Sequence, residues 1–148
     1  MPLRNLKTSV EIIRPVADVI AFVGDCKNDP IWRTSVLESR KKEEGEPYIG
    51  MVYHVKEKIL GRVIEHDWMI TERNDNGSYW SAKSSAGPFP MASSMRLEAN
   101  GDSTFVQRTL SIDVGHLFIV ASPVVGYIAR CELEMDFAKL KELLEADD

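Results

Sequence analysis

The sequence has few cysteines and no long apolar segment. Its 148 residues include only Cys26 and Cys131, and neither belongs to a CxxC pair or lies near a pair of histidines. Isolated cysteines argue against a zinc site or a disulfide framework and favour a reducing, cytoplasmic location. The longest uncharged apolar run, residues 117–129, is interrupted by Pro123 and is too short to span a bilayer. The first 15 residues lack the apolar core of a signal peptide, so none is expected.

The sequence also lacks the short motifs of nucleotide, metal and serine-nucleophile chemistry. It contains no GxGxxG, Walker loop, HExxH or GxSxG motif, so we expect no cofactor and no metal. A basic excess is missing as well. Residues 132–148 carry seven acids and two lysines, which account for the whole net charge of −5, while residues 1–131 are balanced. Because no basic face is implied, we expect no nucleic-acid partner.

The apolar residues that are present follow a regular order of strands and helices. Hydrophobic residues make up 44% of the chain, and the length predicts one domain over residues 1–148. Residues 4–14 alternate as a strand, residues 16–23 have helical spacing, and residues 29–32 predict a second short helical turn. Six further strands are predicted over residues 36–42, 51–60, 62–73, 78–85, 91–99 and 103–114, and the last 30 residues have a helical pattern.

This order predicts an α+β fold built on one curved antiparallel sheet. Short turns such as Asn76-Gly77 and Asn100-Gly101 join neighbouring strands, which gives a meander of six strands, and the first strand makes seven. A sheet of this size curls, so one long amphipathic helix can pack against its concave face. The two short helices between the first and second strands then close one end. The stripe of the long helix that we expect to be buried consists of Leu133, Phe137, Leu140 and Leu144.

The same segments, taken in order, resemble a known superfamily over nearly the whole chain. They are residues 10–25, 28–32, 45–50, 87–89, 101–104 and 135–145. Together they are similar to the Bet v 1-like and START-like (SRPBCC) helix-grip superfamily, and within it to the bacterial polyketide cyclase/dehydrase-like group. The resemblance implies an internal apolar cavity between sheet and helix. It does not imply one chemistry, because relatives bind lipids, sterols, quinones, hormones or polyketides, or catalyse ring closure and dehydration.

Strand alternation predicts which side chains face that cavity. Arg108, His66 and Glu57 each fall on an otherwise apolar strand face, where a charge is unfavourable unless it is paired. One hypothesis is that all three point at the polar part of a ligand. The alternatives are a structural ion pair, such as Arg108 with Glu57, or positions at strand ends that reach water. The predicted ligand-binding residues are these three together with Met51, Tyr53, Val55, Trp68, Trp80, Phe89, Met91 and Met95.

Some positions have an interpretation of their own. Phe89, in the Gly87-Pro88-Phe89-Pro90 loop, is predicted either to swing over the cavity mouth or to pack on the surface as part of a plain strand connection. His54 is interpreted as solvated, and His116 as part of a cap or loop. The apolar residues 117–129 could cover the cavity mouth, form a homodimer surface or contact a membrane surface.

Three functions remain open from the sequence. The first is a carrier or sensor that binds a small apolar molecule of the lipid, quinone or polyketide type. The second is a cyclase or dehydratase in which Arg108 stabilises an enolate and His66 or Glu57 moves protons. The third is a protein-interaction module whose cavity is vestigial and filled by large side chains.

Overall fold

The computed structural model describes residues 3–59, 61–113 and 122–146. The strands are β1 (Leu3–Ile12), β2 (Val36–Lys41), β3 (Val52–Ile59), β4 (Arg62–Arg73), β5 (Tyr79–Ala86), β6 (Met91–Asn100) and β7 (Ser103–Ile112). The helices are α1 (Val16–Val23), α2 (Asp29–Trp32) and α3 (Ser122–Glu145), and a 3₁₀ turn over Cys26–Asn28 lies between the first two. The interpretations of His116 and of residues 117–121 lie outside the described residues.

All seven strands form one antiparallel sheet in the order β1-β7-β6-β5-β4-β3-β2. Six strands follow one another as a meander, as the sequence predicted, and β1 completes the sheet by pairing with β7. The edge strands are therefore β1 and β2, although they are neighbours in the chain. The segment that joins them carries α1 and α2 from one edge of the curled sheet to the other, which confirms the expected helix-grip architecture.

The long helix α3 packs against β1 and α2 through its predicted stripe. Leu133, Phe137, Leu140 and Leu144 are all buried, and the Phe137 ring lies 6.0 Å from that of Trp32. At its far end, Glu145 accepts a hydrogen bond from the Ile13 backbone N–H at 2.8 Å. Within the residues listed above, no helix is both long and apolar enough to cross a membrane.

The predicted strand phases are confirmed by burial. Glu57, His66 and Arg108 are only 3%, 2% and 6% exposed, although each could be charged. Their apolar neighbours on the same faces, such as Val55 and Val106, are fully buried. The concave side of the sheet therefore holds ionisable groups inside an apolar core, and their partners decide what they can do.

The loop between β5 and β6 differs from both expectations for Phe89. Its side chain is 5% exposed and packs in the core, with its ring 6.1 Å from that of His66. Gly87 makes this inward fold possible. Its φ is +152°, and a Cβ at this position would lie 2.8 Å from the Cβ of His66. Phe89 is thus neither a mobile tip over the mouth nor a surface residue, because the loop folds against β4.

Replacing Gly87 should therefore destabilise the protein more than replacing a turn glycine whose backbone φ angle is also positive. We expect Gly87→Ala to lower the free energy of unfolding by about 1–3 kcal/mol more than Gly45→Ala, because overpacking adds to backbone strain. Gly45 is the matched control, since its φ is +119° but a Cβ there would meet nothing within 4 Å. Urea denaturation of both variants measures the difference, and equal losses would contradict close packing of Gly87 on His66.

Candidate functional site

A cavity of about 500 Å³ opens at the end of the sheet that lies beneath α1. Its mouth lies among the α1 end, the β2–β3 loop and the β4–β5 turn, where Lys41, Glu46 and Asn76 contribute to the rim. Its lining combines apolar and polar side chains in similar measure. The apolar and aromatic wall includes Trp32, Met51, Tyr53, Trp68, Trp80 and Met95. On the inner side the lining includes the buried Asp29 and Arg108 and the largely buried Arg33.

The structure divides the predicted ligand-binding residues into two groups. The cavity wall includes Met51, Tyr53, Trp68, Trp80, Met95 and Arg108. Glu57 and Met91 instead face a smaller void of about 50 Å³ beneath α3. Val55, His66 and Phe89 line neither space. The division follows the strands, because the cavity occupies the Met51 end of β3 and α3 packs over the Glu57 end.

His66 and Glu57 are paired with each other. The His66 Nε2 and Glu57 Oε1 atoms lie 2.8 Å apart, and the Arg33 guanidinium lies 3.7 Å from the same carboxylate. Burial alone would raise the pKa of Glu57, but the His66 hydrogen bond and the charges of Arg33 and Arg108 lower it to about 2. Glu57 is therefore held as an ionised acceptor. Because neither Glu57 nor His66 lines the large cavity, neither is placed to exchange protons with a ligand there.

The Arg108–Glu57 ion pair considered from the sequence is not formed. Within the described residues, the only hydrogen bond of the Arg108 side chain is from its Nε to the Ser93 Oγ, at 3.1 Å. Burial and the nearby charge of Arg33 lower the pKa of Arg108 to about 10, so it stays protonated near neutrality. Arg108 thus carries a desolvated positive charge at the cavity wall. Its one hydrogen-bond partner among the described residues is neutral.

Asp29 and Arg33 are the main site residues that the sequence reasoning missed. Asp29 is 8% exposed, accepts a hydrogen bond from Ser39 Oγ at 3.3 Å and lies 3.7 Å from the Arg33 guanidinium. Burial raises its pKa to about 6, against the opposing effect of Arg33 and Arg108. The i, i+4 spacing of the two residues was the available signal. A four-residue helix has no periodic stripe from which their burial could be predicted.

Two acids on α3 face the smaller void. In the sequence, both lie between the apolar residues of the amphipathic helix. Asp136 is buried and accepts hydrogen bonds from the backbone N–H and the Oγ1 of Thr34, at 2.9 and 3.0 Å. Glu132 lines the same void, and burial together with the charges of Asp136 and Glu57 raises its pKa to about 7.

The remaining candidates occupy structural positions. His54 lies on the outer sheet face as predicted, but it is held between Asp67 and Glu65 at 2.8 and 2.9 Å rather than freely solvated. These carboxylates raise its pKa. Cys131 is a half-buried free thiol on α3.

The raised pKa of Asp29 predicts a pH-dependent effect of its neutral isostere. A carboxyl whose pKa rises from about 4 in the unfolded chain stabilises the fold fully below pH 4, and this stability is lost as pH rises through about 6. The free energy of unfolding of Asp29→Asn should therefore equal that of the wild type at acidic pH and exceed it by up to about 3 kcal/mol above pH 7. Urea denaturation across this range measures the effect. Asp75→Asn, in an exposed turn, is the control, and a difference independent of pH would contradict the assignment.

Comparisons with known proteins agree with this architecture. The sequence profile described as "Polyketide cyclase / dehydrase and lipid transport" matches residues 4–145. No curated protein matches the sequence significantly. Among solved structures, a START superfamily protein from Mycobacterium smegmatis superposes with a TM-score of 0.82 at 19% identity, covering 97% of this chain and 98% of that one.

Two other structures extend the likeness of fold. The Zhui aromatase/cyclase from Streptomyces sp. R1128 has a TM-score of 0.71 at 13% identity, with 98% of this chain and 92% of that one covered. Major latex-like protein 151 from Panax ginseng has a TM-score of 0.72 at 12% identity, with 99% and 98% covered. The chain therefore belongs to the polyketide cyclase/dehydrase and lipid transport family and shares its fold with the START superfamily protein.

Proposed function

We propose that this protein binds a small apolar ligand of the lipid, quinone or polyketide type in its large cavity and acts as a carrier or sensor. The observation that carries the proposal is a cavity of about 500 Å³ in which aromatic and methionine side chains lie next to an inner polar group of Asp29, Arg33 and Arg108. Such walls adapt to apolar ligands, and a few convergent polar groups orient them. Large side chains do not fill the space, so the interaction-module hypothesis gains no support.

Within this ligand class, Arg108 favours ligands that carry an anionic or hydrogen-bond-accepting group. Its guanidinium is buried, charged, and bonded only to Ser93 among the described residues. An acidic or enolic ligand oxygen would give it the charged partner that it lacks, and charge-assisted hydrogen bonds are the stronger kind. The preferred ligand is therefore amphipathic, with its anionic or acceptor end inward and its apolar part against Trp68 and Trp80.

A matched pair of fluorescent probes tests both parts of this proposal. The anionic probe 8-anilinonaphthalene-1-sulfonate and the neutral probe N-phenyl-1-naphthylamine share one aromatic skeleton and differ by the sulfonate. We expect both to bind saturably. In Arg108→Met, sulfonate probe affinity should fall by about 2 kcal/mol, or roughly 30-fold, and neutral probe affinity should not change.

The stability of the same variant provides the structural control. Because Arg108 has no direct carboxylate partner in the described part of the chain, Arg108→Met should unfold at the same temperature as the wild type or higher. Arg130→Met, on the exposed side of α3, should change neither affinity. Absence of saturable binding by either probe to folded protein would refute the binding function, and equal losses for both probes would refute the role of Arg108.

A second candidate function is acid–base catalysis in the same cavity, with Asp29 in place of His66 or Glu57. Asp29 lines the cavity with Arg33 and Arg108, and its pKa of about 6 suits a general base near neutral pH. In such a reaction the Asp29 carboxylate would take the proton from a carbon next to a ligand carbonyl. Arg108 would stabilise the resulting enolate oxygen.

Deuterium exchange at the α-carbons of 2-tetralone, followed by proton NMR, tests this chemistry. The wild-type protein should accelerate exchange, and the acceleration should increase as pH rises through the pKa of Asp29. Asp29→Asn should lose about 100-fold or more of the acceleration, and Asp75→Asn should keep it. A wild-type rate equal to that of buffer, or full activity in Asp29→Asn, would exclude this role.

A further inference from the structure

The large cavity and the smaller void share part of one wall. Arg33 and Arg108 line both spaces. On the large-cavity side they face Asp29, and on the other side the void is lined by Glu57, Glu132 and Asp136. Two guanidinium groups therefore separate the space proposed for a ligand from a cluster of three carboxyl groups, of which Glu57 and Asp136 are buried and Glu132 is half-buried.

Glu132 differs from the other acids of this cluster. Glu57 is bonded to His66 and lies near Arg33, and Asp136 is bonded twice to Thr34. The carboxyl group of Glu132 has no hydrogen-bond or ion-pair partner within the described residues. Its pKa near 7 reflects burial and the charges of Asp136 on α3 and Glu57 on β3, opposed by Arg33 from the α2–β2 loop. The void also contains Arg108 from β7.

We infer that binding of an anion in the large cavity is coupled to uptake of a proton by Glu132 across the shared Arg33 and Arg108 wall. This inference rests on the proposed function of that cavity. A ligand anion beside the guanidinium groups adds a negative charge to a site already rich in carboxylates. Because Glu57 and Asp136 are buried and Glu132 is half-buried, water screens this charge only partly, and the carboxyl group without a partner among the described residues is the easiest to neutralise.

The coupling is reciprocal. If an anionic ligand favours protonated Glu132, then protonated Glu132 favours the anionic ligand by the same factor. Affinity for an anion should therefore rise as pH falls through the neutral range. Glu57 does not contribute there, because its pKa of about 2 keeps it ionised. Asp29, with a pKa of about 6, contributes at the acidic end of this range and much less at pH 7.5. A neutral ligand changes no charge at the shared wall, so its affinity should depend much less on pH.

Isothermal titration calorimetry with the two naphthyl probes measures this coupling. Titrations at pH 7.5 in buffers of different ionisation enthalpy give the number of protons taken up. Wild-type protein should take up more protons with the sulfonate probe than with the neutral probe. Its affinity for the sulfonate probe should be about 5- to 10-fold higher at pH 6 than at pH 8.5. Glu132→Gln should lose at least half of the proton uptake and bind the sulfonate probe more tightly than wild type at pH 8.5.

Glu134→Gln is the matched control, because Glu134 lies two residues away on the exposed face of α3. It should retain the full proton uptake. Equal uptake with both probes, or more than half of the wild-type uptake in Glu132→Gln, would overturn the inference while leaving the binding function intact. Failure of both probes to bind would instead refute the proposed function itself, so the two failures are distinguishable.

Discussion

The Arg33 guanidinium lies 3.7 Å from both Asp29 and Glu57, and the buried polar groups of this protein are arranged around it. A largely buried cation of this kind is unfavourable unless it is paired with carboxylates. The charges of Glu57 and Asp29, with that of Asp136, outweigh the cost of burial and keep its pKa high. Elements that are far apart in the chain, namely α2, β3 and α3, contribute these carboxylates. The position of α2 and the chemistry of the cavity therefore depend on one set of charges.

The same constraint explains why the concave side of the sheet is not uniformly apolar. α3 covers the end of β3 that carries Glu57, and it supplies Glu132 and Asp136 there. The opposite end remains open as the large cavity, with α2 and the 3₁₀ turn beside it. Arg108 lies between these regions and belongs to both. The inner wall that a ligand in the large cavity would contact is thus polar and not apolar. The cluster of titratable carboxyl groups lies directly behind this wall.

The family supports more than one use of such a cavity, and the fold alone does not select one. What distinguishes a binding site from a catalytic site here is the protonation of the groups that touch the ligand space. Glu57 is held ionised by its hydrogen bond to His66 and by Arg33, which leaves it without a role in proton transfer. Asp29 lies equally close to Arg33 but accepts its side-chain hydrogen bond from the neutral Ser39, and burial brings its pKa to about 6. Acid–base chemistry, if present, belongs to the short helix and not to the central strands.

The sequence by itself determined the order of elements, the seven-stranded sheet and the buried faces of its strands. Strand alternation has a period of two residues, so Glu57, His66 and Arg108 could be assigned to the interior without coordinates. The helical spacing of Leu133, Phe137, Leu140 and Leu144 likewise identified the packed face of α3.

Only the tertiary structure decided the partners of the buried charged groups. Glu57 and His66 come together as diagonal neighbours across β3 and β4, and Asp29 and Arg33 become buried because α2 is pressed between the sheet and α3. Phe89 turns inward for a similar reason, since the φ of Gly87 directs the loop onto His66. Local periodicity reports which side of an element faces inward, whereas the partners of a buried charge depend on how distant elements pack.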